Sequence, residues 1–340
     1  MTETRHRSKV GPTAKSSEQT PDDQADATNA PLPTVMPTFA RHETFHPRYG
    51  WLKKGFDKAG DDSKVFLRNE APIVLGVGKN MVRAIRYWCH AMKVLREATD
   101  GRGSGSVPTE FGSLLLGPTG LDKYLEDLGS LWLLHWQLLS PPCMATAWHF
   151  AFSVFARQTF SVDELTTGVA EYVERHFPTA RLAASSLRKD VTCILRMYGQ
   201  ADPSVNEVGE DSIQCPFAEL ALLRPLGDKS FAFNMGTKPG LSLWLVTATA
   251  LQFCARSSGS ARTVSLSTLL NAPGSPGMVF KLTESTLYGA LEGAATTTHG
   301  LSLTDAAGLI QLSFDDNPSI IATTLIRRHY GATGARKAVA

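Results

Sequence analysis

The sequence has 340 residues, 43% hydrophobic, 19% charged and 9% aromatic, which excludes collagen-like, disulfide-scaffold and wholly disordered classes and leaves enough apolar side chains for a sizeable core. The formal net charge of +2 hides a segregation: residues 41–96 carry 12 basic and 5 acidic side chains (net +7), residues 97–320 carry 14 and 22 (net −8), and residues 321–340 carry 4 and none. A basic module on an acidic body points to an anionic partner at one end only.

From the N-terminus, residues 1–37 hold five prolines and almost no large apolar side chain; they read as a disordered tail, with order beginning at Phe39. No apolar run reaches the ~20 residues that span a bilayer, and Met1–Val10 is polar and basic, so the expectation is a soluble cytoplasmic chain with no membrane partner. The five cysteines, Cys89, Cys143, Cys193, Cys215 and Cys254, form no C-x-x-C pair. They read as buried thiols of a reducing compartment rather than a zinc ribbon or redox pair, with Cys215, in Gln-Cys-Pro-Phe, the one that calls for inspection.

The segment His42-Glu43-Thr44-Phe45-His46 satisfies the H-E-x-x-H pattern of zinc proteases, which requires both histidines one turn apart on a helix. Pro47 pushes His46 out of the helical region, so no zinc site is expected. An irregular loop follows from the spacing instead, with His42, Glu43, His46 and Arg48 crowded among Phe45, Tyr49 and Trp51. It reads either as a small site for phosphate or metal contact or as a satisfied structural network.

The most informative stretch is Leu75–Leu95. A short helix (Glu70–Leu75, with Pro72 near its start), a tight Gly76-Val77-Gly78 turn and a longer helix make the sequence form of a DNA-reading helix-turn-helix. On the second helix Met81, Val82, Ile85, Trp88, Cys89 and Met92 form one stripe, while Lys79, Arg83, Arg86, His90 and Lys93 fall on the other at steps of four, three, four and three. One face packs and the other is cationic. The alternative is a solvated basic face. Lys53, Lys54 and Asn80 complete the expected DNA-binding set. Gly78-Lys79 is not a P-loop: the earlier glycine position holds Ile73 and Asn80 follows the lysine, so no nucleotide is expected.

Further breaks are expected at Asp100–Val107, Pro141-Pro142, Gly199–Ser212 and Ser257–Ser260. Ser130–Leu139 reads as a core helix apolar on nearly all sides. Asp122 and Glu126, four apart, would share a helical face and with Asp127 bind a divalent ion; capping of the core helix by Glu126 and Asp127 is the simpler account. His135 and His149 read as buried, hydrogen-bonded histidines. Asp163–Phe177, Ser185–Tyr198, Leu241–Arg256, Thr283–Ala295 and Pro318–Tyr330 read as helices, and Leu301–Leu303 with Leu309–Phe314 as a hairpin. The C-terminal part, with its short helix at Ser265–Leu270, repeats the helix, turn, helix and wing order without a cationic face, and suggests a scaffold or partner-docking module; Arg327, Arg328, Arg336 and Lys337 add a basic end. The expected fold is mainly α with small β hairpins, as winged-helix-like modules around a helical centre. Its divisions are the tail (1–37), an N-terminal helix-turn-helix or winged-helix-like DNA-binding module (38–140), a helical middle region (141–256) and a C-terminal winged-helix-like module with a basic tail (257–340).

The stretches FARHETFHPRYGWLKKGFD (39–57), LGVGKNMVRAIRYW (75–88), TEFGSLLLG (109–117) and LDKYLEDLGSLWLLHW (121–136) together resemble a bacterial family of formerly unknown-function domains, the SspB-like components of DNA phosphorothioation (Ssp) systems of anti-phage defence. The resemblance implies a protein that binds double-stranded DNA and nicks one strand so that sulfur can be installed. It also implies as partners a cysteine desulfurase, an ATPase and a PAPS-reductase-like enzyme. No catalytic residue set carries over from the resemblance; the catalytic candidates come from the polar loop, His42, Glu43 and Arg48, assisted by Mg2+ or Mn2+. The alternative is a non-catalytic DNA-binding adaptor that recruits the sulfur-transfer machinery.

Overall fold

The computed structural model describes Met1 and residues 35–98, 105–180, 182–199, 215–227, 229–257, 261–306 and 308–337; the expectation of a disordered tail lies outside them up to residue 34. The next residues are packed. Val35 is buried and bridges Cys143, the Met36 N–H donates to the Cys143 carbonyl at 3.0 Å, and the Thr146 hydroxyl joins the Met36 carbonyl to the Thr38 N–H. Order therefore starts before Phe39, because Val35 finds an apolar seat that its proline-rich surroundings did not announce.

The N-terminal third holds α1 (Trp51–Asp61), α2 (Ala71–Leu75), α3 (Lys79–Ala91), the antiparallel hairpin β1 (Leu95–Glu97) and β2 (Ser106–Pro108), then α4 (Glu110–Leu116); α2 and α3 stand where the spacing predicts them, whereas α1, the hairpin and α4 were not expected. Proline opens α2 and Gly76 closes it in the left-handed region at φ 61°, ψ 39°, the usual division of labour at helix ends. The inward stripe of α3 is buried at Val82, Ile85, Trp88 and Cys89. The hairpin crosses the glycine-rich segment around residue 100, whose tip (99–104) lies outside the described residues.

Next comes α5 (Leu128–Leu139), buried on nearly every side with Trp132 and Trp136 fully enclosed. Its N-cap is Asp127, which accepts the Gly129 N–H at 2.7 Å; Ser130 sits inside the helix. After α6 (Thr146–His149), the chain forms β3 (Thr159–Ser161), α7 (Val162–His176), α8 (Ala184–Tyr198), β4 (Leu223–Gly227) and β5 (Ser230–Phe233). The helices fall where the spacing predicts; the sheet, in order β3-β5-β4, was not expected. A capping box at Ser161 and Glu164 starts α7, satisfying two otherwise orphan donors.

The last third holds α9 (Leu243–Ser257), β6 (Thr263–Ser265), α10 (Leu266–Asn271), α11 (Pro276–Phe280), α12 (Glu284–Ala295), the expected hairpin β7 (Leu301–Ala306) and β8 (Leu309–Phe314), and α13 (Pro318–Lys337). Its sheet has the order β6-β8-β7. The fold is thus mainly helical with small antiparallel sheets. Buried side chains from Val35 to Ile326 form one large apolar core, with Ala71, Leu75 and Val82 as a small second cluster between α2 and α3, and Pro31–Ala340 is one compact unit. No described helix is long and apolar enough to cross a membrane.

Candidate functional site

The outer face of α3 keeps Lys79, Asn80 and Arg83 exposed. Arg86 is half-buried and lies 3.9 Å from Glu97 of β1. Beyond it the expected cationic stripe ends. His90 bonds through Nε2 to the Ser106 hydroxyl at 2.9 Å, and burial, then the neighbouring Arg86, pushes its pKa down to about 4. Lys93 lies past the end of the helix at φ 57° and turns its ammonium inward to the carbonyls of Gln137 and Ser140, with burial holding its pKa at about 8. Helical spacing alone placed both side chains on the open face. The early helix end at Ala91 and the hairpin packed beside it redirect them.

On α1, Lys53 pairs with Asp57 one turn on, and Lys54 donates to the Leu75 carbonyl at 2.9 Å. Lys54 thereby satisfies an orphan carbonyl at the C-terminus of α2 and ties it to α1.

The loop before α1 is where the polar residues converge. Residues 41–44 form a turn and the helix starts only at Trp51, so His42 and His46 do not share a helix, as Pro47 indicated. Ala40, Glu43 and Thr44 hold φ of 53°, 52° and 69°. Positive φ is uncommon for side-chain-bearing residues and marks a backbone held by its surroundings.

The holding element is a pair absent from the sequence reading. His42 is fully buried, and its Nε2 stands 2.8 Å from Oδ1 of Asp190 on α8. The same oxygen accepts the Ala40 N–H at 2.8 Å. A carboxylate only accepts, so Nε2 carries the proton. Tyr87, Trp88 and Trp148 surround the imidazole, and the Trp88 indole N–H donates to the Phe45 carbonyl at 2.9 Å. Asp190 did leave a trace in the sequence: it falls on the apolar side of α8 beside Leu187, Val191 and Ile194, where a carboxylate needs a partner.

Glu43 points the other way, partly exposed, with Oε1 3.5 Å from the Arg83 guanidinium. The Arg48 guanidinium lies against the rings of Phe45 (5.6 Å) and Trp51 (5.4 Å), with its Nε buried and unpaired. The structure therefore brings Glu43 to the open face of α3, while His42 works from within the core.

The second candidate cluster dissolves into caps. Residues 121–124 are a turn rather than a helix, and the Asp122 carboxylate accepts the N–H groups of Glu126 and Asp127 and the Ser130 hydroxyl. Asp127, besides capping α5, lies 3.2 Å from His329 Nε2, whose Nδ1 is 2.8 Å from the Ser242 hydroxyl. Among the described residues, no group of three or more His, Cys, Asp or Glu side chains is placed to hold a metal ion. His135 is buried between Tyr198 (2.7 Å) and the Val279 carbonyl (3.1 Å), and burial lowers its pKa to about 3. His149 is buried as expected, but its Nδ1 has no hydrogen-bond partner. All five cysteines are buried, and burial drives the Cys215 thiol pKa up, away from reactivity. At the C-terminal end Arg328 lies over the Trp244 ring and donates to the Thr297 carbonyl, and Arg327 is exposed; the side chains of Arg336 and Lys337 lie outside the described residues.

Comparison with known proteins gives two findings. Residues 39–330 match the family model described as a protein of unknown function, DUF4007. Two solved structures, a magnesium ion-bound SspB crystal structure and an SspB crystal structure, each align with a TM-score of 0.82 at 38% identity, covering 88% of this chain and 89% of theirs. No curated protein sequence matches significantly.

Proposed function

We propose, on the premise that this chain belongs to the DUF4007 family and is homologous to SspB over most of its length, that it acts in an Ssp DNA phosphorothioation system as the component that binds duplex DNA and nicks one strand. The observation that carries this reading is the placement of Glu43: the loop that Asp190 anchors sets its carboxylate against Arg83, on the helix face that presents Lys79 and Asn80 to solvent. The order α1, α2, α3 and hairpin matches a winged-helix-like module, in which the second helix of the pair enters the major groove and flanking cations hold the phosphates.

In this reading Lys79, Asn80, Arg83 and Arg86 grip the backbone. Glu43 accepts the proton of the attacking water, and Arg48 lies in the same loop. His42 is a positioning residue, since its buried ring acts only through Asp190 and the loop backbone. The magnesium ion of the SspB relative belongs to that structure. In this chain a single accessible carboxylate fits the way Mg2+ or Mn2+ is held at phosphodiesters, through one or two carboxylates, water and the phosphate itself, and such an ion would supply charge neutralisation at the phosphate. The acidic body, net −8 over residues 97–320, offers a surface for the protein partners of the system.

The adaptor reading has one observation in its favour, the missing three-ligand cluster among the described residues. A supercoiled-plasmid nicking assay with Mg2+ or Mn2+ separates the two. Glu43→Gln is expected to cut nicking by about 100-fold or more with little change in DNA affinity, whereas Lys79→Ala/Arg83→Ala is expected to weaken binding and flatten its salt dependence. A parent protein that binds DNA but leaves the plasmid closed, alone and with its partner proteins, establishes the adaptor.

A further inference from the structure

The two three-stranded sheets are built on one plan. In the middle of the chain β3 is followed by α7 and α8 and then by the β4–β5 hairpin; in the last third β6 is followed by α10, α11 and α12 and then by β7–β8. In both, the final strand lies between the other two. The last α-helix ahead of the hairpin is α8 in one, with a 3-10 turn at Pro216–Leu220 in between, and α12 in the other, the place that α3 holds ahead of β1–β2.

These equivalent helices differ in charge. On α8 the exposed polar residues are Ser185, Arg188, Lys189, Thr192 and Arg196, one stripe along nearly the whole helix. Its hairpin adds exposed Arg224 and Lys229. On α12 the exposed face carries Glu284 and Glu292 and no cation. The α8 cations stand in a stretch whose net charge is −8, so they are a local concentration against the background. Arg188 pairs with Asp163 at 2.9 Å with both side chains well exposed, a contact worth little in water. Lys189, Arg196, Arg224 and Lys229 have no carboxylate within 4.0 Å among the described residues.

We infer that α8 and the β4–β5 hairpin form a second phosphate-contacting surface, so that the chain grips duplex DNA at two places. This rests on reading α3 as the first. The structure links the two physically: the loop that passes Glu43 to Arg83 of α3 is anchored through Ala40 and His42 to Asp190, on the buried side of α8. One short, strained turn thus fixes both helices, and the two cationic faces are held in a set relation. No hydrogen-bonding reader of bases is required of α8; lysine and arginine at helical spacing act on the backbone, and their contribution is counterion release.

The test uses the full chain and DNA duplexes from about 10 base pairs, one helical turn, upward in length, with affinity measured at several salt concentrations. For the parent, affinity is expected to rise again once the duplex is long enough to reach α8. Lys189→Ala/Arg196→Ala should abolish that second rise and reduce the salt slope by about two, and adding Arg224→Ala/Lys229→Ala by about four, with unchanged thermal melts since all four side chains are exposed. Glu284→Gln/Glu292→Gln, on α12, should leave both quantities alone. If the α8 variants keep the parent's slope and length dependence while Lys79→Ala/Arg83→Ala loses binding, the second surface is overturned and the first stands. A parent that binds no DNA at any length overturns both.

Discussion

Lys281 is a charge placed where few charges are found. It is almost fully buried, its ammonium lies 4.3 Å from the centre of the Phe233 ring, and its one hydrogen bond runs to the Ala151 carbonyl at 3.2 Å. Burial holds its pKa down to about 7. Between that value and the ordinary lysine value near 10.4 the unfolded chain binds more protons than the folded one, so stability rises with pH across this window. Lys238, which donates to the carbonyls of Asn234, Gly236 and Lys281, and Lys93 act in the same direction, each with a pKa near 8 through burial. The melting temperature is therefore expected to climb between pH 7 and pH 8, below the range near and above the ordinary thiol value of about 8.5 where the five buried cysteines, held protonated in the folded chain, act in the opposite direction. Lys281→Met is expected to raise it at pH 7 and to flatten the climb. Differential scanning calorimetry on both proteins reads this directly; parallel curves would show that Lys281 titrates alike in both states. Asp190 illustrates another way of burying a polar group, a carboxylate given a histidine and a backbone N–H as partners.

At the scale of the element, the turn between α2 and α3 depends on Gly76. Its φ is 61°, and a Cβ there would meet nothing within 4 Å, so the cost of Gly76→Ala is the left-handed backbone alone, about 1 kcal/mol. Gly112 near the start of α4 has an ordinary backbone but lies so close to β1 that a Cβ would stand 2.2 Å from the Val94 carbonyl oxygen. Gly112→Ala must push α4 away from the hairpin and is expected to cost clearly more. Urea unfolding of the two variants checks the order, and equal losses would refute it.

The longer helices from α3 onward were legible because their buried faces run several turns, as in α3 and α8, and Asp127 was read as a cap of the core helix; α1, α4, α6 and α11 were not expected, the last three being too short for a stripe to register. Strands β1, β3 and β6, three residues each, are too short for alternation to register, and with them the repeated sheet plan stayed hidden. In the candidate site the spacing put Lys79, Asn80 and Arg83 on an open helix face, but it missed the inward turn of His90 and Lys93 and the partner of His42, because spacing along a chain does not report a contact 148 residues away.

Over the whole molecule, the docked segment Val35–Thr38 makes the exact point of truncation matter. A chain beginning at Val35 keeps the bridge to Cys143 and the Thr146 bonds; one beginning at Thr38 loses the buried valine and leaves the Cys143 carbonyl unpaired. The longer chain is expected to melt several degrees higher than the shorter one, given ~2 kcal/mol for a buried valine and the small Tm change per kcal/mol in a chain of this size. Identical melting would mean the segment contributes nothing. The uneven charge has a global consequence as well: with net +7 over residues 41–96 against −8 over 97–320, the encounter with a polyanion is oriented and salt-dependent before any contact forms.

The closure of the His42 loop onto Asp190 also sets a timetable for synthesis. At about 5–20 residues per second, roughly 7 to 30 s separate the emergence of His42 from that of its carboxylate partner, and the caps at Asp127 and Ser130 wait longer still for His329 and Tyr330, some 200 residues on. The cationic helix can form early, but the loop that gives it a carboxylate is completed only after α8 has left the exit tunnel.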